Sequence, residues 1–201
     1  MQIDRILFPV TTLGPGNRLG IWTIGCPHRC FNCSNPELWN DDVQKDISLS
    51  NLRTVFQDNK LLIDGVTITG GEPFHQPDEL YSLIKMLRHL EYEDILVYTG
   101  YKYEFIKDKF HKIIDCIDVL VDGLYDDSLN DNIGQKGSSN QRCIVLNSKF
   151  EEKYKEFDTQ IRKRQTGAQA AQIASSSLRR RDSAFAPQRR ASANQQVSHL
   201  Y

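Results

Sequence analysis

The chain has 201 residues, 39% of them hydrophobic, which suits one domain of ordinary size with a modest core. No apolar run approaches the roughly 18 residues of a membrane span, and the start, MQIDRILFPVTT, lacks the long apolar core of a secretory signal, so a cytoplasmic protein with no membrane contact is expected. The formal net charge of −1 hides a split: residues 159–201 hold eight Lys and Arg against one Asp, whereas 1–158 hold 17 basic and 25 acidic residues.

In chain order, RLGIWTIG (18–25) alternates as a strand that ends at Cys26. Residues 46–59 read as a short helix with a serine start signal. DGVTIT (64–69) is a β-branched strand that runs into the turn GGEP. After Pro77, residues Leu80, Leu83, Ile84, Leu87 and Leu90 share one face of an amphipathic helix. DILVYTG (94–100) is the next strand, 103–114 a helix, 117–123 a strand and 141–146 a last strand. Residues 148–161 place Phe150, Tyr154, Phe157 and Ile161 at helical spacing. This alternation predicts an α/β fold with a parallel sheet, arranged as an open or partial βα barrel, because the units are too few for an eight-fold one. Residues 1–161 form the expected domain. Residues 162–201 are a basic, low-complexity tail whose composition predicts disorder, with a helical piece around 166–178. Its runs LRRRDS and QRRAS invite nucleic acid, but a solvated extension is the stronger reading, and nucleic acid is not an expected partner.

The five cysteines are an odd number, and Cys26, Cys30 and Cys33 fall within eight positions as C-x3-C-x2-C. In a reducing compartment such clustered thiols bind metal or do chemistry. A structural zinc site wants four ligands, so zinc here needs completion by His28, Cys116 or Cys143. A [4Fe–4S] cluster held by three thiolates leaves one iron open to a small molecule. Cys116 and Cys143 sit in apolar patterns and read as core residues.

The cysteine spacing and the later GGEP together resemble the radical S-adenosylmethionine (SAM) superfamily. Within it, the stretches DRILFPVTTLGPGNRLGIW, GCPHRCFNCSNPELW, DGVTITGGEP, VYTGYKYE, DVLVDGLY and GSSNQR resemble the small activating proteins of anaerobic ribonucleotide reductases. The resemblance implies that Cys26, Cys30 and Cys33 hold a [4Fe–4S] cluster whose open iron chelates SAM. It implies that Gly70, Gly71, Glu72 and Pro73 form the turn that meets the methionine amino group. Asn32 takes the position where many superfamily members place an aromatic residue near the adenine. Tyr98, Thr99 and Gly100 either line the SAM site or make a strand-end turn. Asp122 either binds the SAM ribose or caps the next helix. The reaction implied is reductive cleavage of SAM, with an electron from a flavodoxin-like donor, to a 5′-deoxyadenosyl radical that takes a hydrogen from a glycine of an anaerobic ribonucleoside-triphosphate reductase. Two alternatives stand beside it: an activase of another glycyl radical enzyme or a peptide-modifying radical SAM enzyme, and a zinc-stabilised binding module.

Overall fold

Four strands with near-continuous apolar sequence form the middle of one sheet, as strands covered on both faces should. They are β2 (Arg18–Thr23), β3 (Gly65–Gly70), β4 (Ile95–Tyr98) and β5 (Val119–Asp122), and they run parallel to one another in that order. Two antiparallel edges complete six strands: β1 (Ile3–Val10) beside β2, and β6 (Arg142–Val145) beside β5. The computed structural model describes residues 1–131 and 135–164; the first three residues of the basic tail expected from 162, residues 162–164, continue the final helix instead of being disordered, and the expectations for the rest of the tail lie outside the described residues.

The expected parallel sheet is found in the four inner strands, and both edges are antiparallel. Asp122 pairs with Arg142, so the chain leaves β5 and re-enters β6 at the same end of the sheet. A parallel return needs a crossover to the other end. At the opposite edge β1 carries Pro9, which has no N–H to give to a ladder and belongs on an edge strand.

Helices cover the two faces. Helix α1 (Leu49–Asn59) starts at Ser48, whose hydroxyl accepts from Asn51 N–H. Helix α2 (Pro77–His89) buries its predicted stripe, with Leu80, Leu83, Ile84 and Leu87 closed to solvent against Ile21, Ile68, Val97 and Leu120. The single helix expected over 103–114 is two, α3 (Tyr103–Lys109) and α4 (His111–Ile114). The break falls at Phe110, whose ring packs on Phe74 at 5.3 Å between centroids. A final helix, α5 (151–164), puts Tyr154, with Phe150 just before it, on Leu96, Val119 and Val121.

At the end of the sheet where β2 begins, Arg18 is fully buried. Its guanidinium donates to Thr67 Oγ1 and to the carbonyls of Val66 and Asp94, and lies 3.1 Å from Asp94 Oδ2. Lys153 and Tyr154, both on α5, donate to the same carboxylate. At the other end the four parallel strands deliver the cysteine loop, GGEP, TGY and the Gly123 turn to one side. That is the side on which parallel α/β sheets carry their ligands.

Candidate cluster-binding site

Beyond Thr23 the chain turns into a loop that is pinned at its neck. Gly25 N–H donates to Leu38 O at 2.8 Å and Cys26 N–H to Trp39 O at 2.9 Å. Inside the neck, Arg29 and Asn32 take left-handed backbone conformations (φ 47° and 52°), which tighten the loop around the thiols. Cys33 Sγ accepts from Asn35 N–H at 3.4 Å, and Tyr125, delivered from beyond β5, lines the same cavity as the thiols. Burial pushes the Cys26 and Cys30 thiols above their ordinary pKa, with the nearby Glu72 carboxylate adding to the rise in each.

The turn after β3 fits against this neck at backbone distance. A side chain on Gly70 (φ 110°) would strike Thr23 N at 2.4 Å, and one on Gly71 would strike Gly25 O at 2.5 Å. The two glycines therefore allow the turn to lie on the chain entering the cysteine loop. Gly71 N–H donates to Thr23 O and Glu72 N–H to Gly25 O, both at 2.8 Å.

Glu72 is buried, and its carboxylate meets four groups. Oε1 accepts from Phe74 N–H at 3.0 Å and Thr99 Oγ1 at 2.8 Å. Oε2 accepts from Gly100 N–H at 2.8 Å, and His28 Nε2 stands 2.9 Å away. One side chain thus ties the end of β4 and the cysteine loop to the GGEP turn. The His28 ring also packs edge-on against Tyr101 at 4.5 Å.

One cavity gathers Cys26, Cys30, Cys33, Gly70, Gly71, Glu72, Tyr98, Thr99 and Gly100 from the residues the sequence singles out. Asn32, Pro73 and Asp122 do not line it. Asn32 is exposed and donates to Asp127 Oδ2 at 2.9 Å. Pro73 opens a buried 3-10 turn (Pro73–His75). Asp122 is closed to solvent, accepts from Tyr103 N–H at the start of α3 and pairs with Arg142. Tyr98 gives its hydroxyl to Gln135 O at 3.0 Å. Sequence reasoning missed His28 as a partner of Glu72, and it missed Tyr125 and Gln141, which also line the cavity. The last two lie within DVLVDGLY and GSSNQR, so the matched stretches held the signal.

The donor set fits a cluster carried by three thiolates. Three thiols face one cavity, and Cys33 Sγ already receives a backbone N–H, as the sulfurs of such centres do. Zinc would need a fourth ligand, and of the residues proposed for it only His28 lines the cavity. His28 Nε2 is engaged by Glu72, Cys143 Sγ accepts from Gln135 Nε2 at 3.0 Å, and neither Cys143 nor Cys116 lines the cavity. No three His, Cys, Asp or Glu side chains among the described residues are grouped as around a single ion.

The comparisons agree with this donor set. Residues 12–144 match the family described as "4Fe-4S single cluster domain", a protein class defined by one such centre. The anaerobic ribonucleoside-triphosphate reductase-activating protein of Enterobacteria phage T4 is 32% identical over 146 residues, which span 71% of this chain and 92% of that relative. The protein of the same name from Escherichia coli K12 is 30% identical over 67% of this chain and 92% of its own length, and that from Haemophilus influenzae is 29% identical over 64% and 87%. The chain belongs to the family of anaerobic ribonucleoside-triphosphate reductase-activating proteins.

Proposed function

We propose that Cys26, Cys30 and Cys33 hold a [4Fe–4S] cluster, that SAM binds beside it, and that the chain uses both to generate a glycyl radical on an anaerobic ribonucleoside-triphosphate reductase. The observation that carries this reading is the single cavity shared by the three thiols and the Gly70–Glu72 turn. When bound, the cluster and SAM supply a low-potential electron and a carbon-centred radical able to take a hydrogen atom from a glycine.

The chain's own residues hold and orient. The neck bonds of Gly25 and Cys26 fix the ends of the loop, and Glu72 fixes its middle through His28. Because the Glu72 carboxylate already meets four groups, we assign recognition of the methionine ammonium to backbone carbonyls of the Gly70–Glu72 turn. Thr99 and Gly100 act by holding Glu72, and Tyr98 by walling the cavity. The parallel strands carry these loops as an open βα barrel of the radical SAM type would. A flavodoxin-like protein is the proposed electron donor. All five cysteines are free, which suits a reducing cytoplasm.

Anaerobic reconstitution followed by dithionite and SAM tests the reading. The expected results are a brown protein with about four iron and four sulfide per chain, 5′-deoxyadenosine as product, and a glycyl EPR doublet when the reductase is added. A colourless protein, or no nucleoside product, overturns it. Cys30→Ala should abolish colour and cleavage, whereas Cys143→Ala should leave both intact.

A further inference from the structure

Trp39 stands at the neck of the cysteine loop. Its carbonyl accepts from Cys26 N–H at 2.9 Å, and the residue lines the cavity with Cys26, Cys30 and Cys33. The indole is held in place by the bonded backbone of Leu38 and Trp39 and by the Arg29 guanidinium, 5.9 Å from the ring centroid. Its Nε1 is closed to solvent, and no acceptor among the described residues meets it. Two other buried polar atoms share that condition, Gln135 Oε1 and Asn140 Oδ1. Both are acceptors, and neither residue lines the cavity. Trp39 Nε1 is therefore the one unmet buried side-chain donor among the described residues, and its residue belongs to the wall of the site.

A buried N–H without a partner is costly, and native proteins rarely leave one. The missing partner must be an acceptor that the cavity is built to receive. Thiolate and sulfide are such acceptors, and the backbone N–H of Asn35 already serves Cys33 Sγ at 3.4 Å. We propose that Trp39 Nε1–H donates to a sulfur of the cluster held by Cys26, Cys30 and Cys33, and so acts as a positioning residue that sets the cluster's reduction potential. The inference deepens the proposed function and rests on it. A donor to sulfur stabilises the more electron-rich, reduced cluster and raises its potential.

The test uses the full chain, anaerobically reconstituted. Trp39→Phe removes the N–H and keeps an aromatic ring. Trp22→Phe is the control, because Trp22 lies in β2 outside the cavity, with Arg5 over its ring. In an EPR-monitored potentiometric titration, Trp39→Phe should disfavour reduction about tenfold, equivalent to about 59 mV for a one-electron couple. Trp22→Phe should leave the midpoint where it is. A second measurement needs no variant to fold: in wild-type protein carrying indole-15N, pulsed EPR of the reduced cluster should show coupling to one indole nitrogen and its exchangeable proton. An unchanged midpoint in Trp39→Phe, or no indole coupling in the wild type, overturns the proposal. A wild-type protein that takes up no [4Fe–4S] cluster overturns the proposed function, and this inference with it.

Discussion

His28 Nε2 lies 2.9 Å from Glu72 Oε2, so a residue inside the cysteine loop is joined to the turn that follows β3. The bond links a position between two thiols to a carboxylate that also holds Phe74, Thr99 and Gly100. The spacing of three thiols in space is therefore set by more than the loop's own short sequence.

Glu72→Gln tests that hub. Phe74 N–H faces one carboxylate oxygen and Gly100 N–H the other. A glutamine has a single carbonyl oxygen, so one of these two backbone donors must face an NH2 group. The expected loss is about 1–3 kcal/mol in chemical denaturation of the cluster-free protein. An unchanged unfolding midpoint would remove Glu72 from its place as acceptor.

Gly100→Ala probes the same joint from the side of β4. A side-chain carbon there would meet His28 Cδ2 at 2.5 Å and Nε2 at 2.7 Å, with Tyr101 packed on the same ring. The overpacking should cost about 1–3 kcal/mol and lower the iron retained after reconstitution. In a double-mutant cycle His28→Ala should remove most of that cost. Strict additivity would show that the two residues do not meet.

Arg18→Met should be among the more damaging single substitutions, at about 3–5 kcal/mol, because it leaves Asp94 buried with a missing partner. Lys153→Met touches the same carboxylate from a side chain that is 37% exposed and should cost much less. Equal losses in the two variants, read from denaturant midpoints, would contradict this ranking.

Arg142 makes the acid limb of stability predictable. It donates to both oxygens of Glu104, at 3.0 and 2.8 Å, and to Asp122. Hydrogen bonds from Arg142 hold Glu104 down at about 2. Burial alone would raise Asp122, but Arg142 and Tyr103 N–H outweigh it and leave its pKa below the ordinary value. Folded values below unfolded ones contribute stability in full above the unfolded carboxylate range of about 4, and that stability is lost as pH falls through the folded values. Unfolding midpoints should thus hold steady down to about pH 5 and drop towards pH 2, where Glu104 titrates. The drop should be shallower in Arg142→Met. An identical profile in the variant would sink the assignment.

Much of this was legible in the residues. The apolar runs marked the four inner strands, Ser48 marked the start of α1, and the Leu80–Leu87 stripe marked the buried side of α2. Strand β1 was not legible, because Asp4, Arg5 and Pro9 interrupt a half-exposed edge where no second face enforces alternation. The break at Phe110 escaped notice because it answers to Phe74, a residue far away in sequence. At the site, the thiol spacing left a [4Fe–4S] cluster and a zinc site both open, and the GGEP turn beside it carried the resemblance. The role of His28 depends on Glu72, and Tyr125 reaches the cavity from beyond β5, so neither is written in any local motif.

The six-residue strand β2 has Arg18 at its first position, and the thiols begin three residues past its last. At about 3.3 Å per residue the strand alone separates the two by about 20 Å. Anchorage and reactivity therefore occupy opposite poles of one slab, with an apolar interior between them. Engineers who wish to retarget the chain can rewrite the loops of one pole while the clamp at the other keeps the architecture standing.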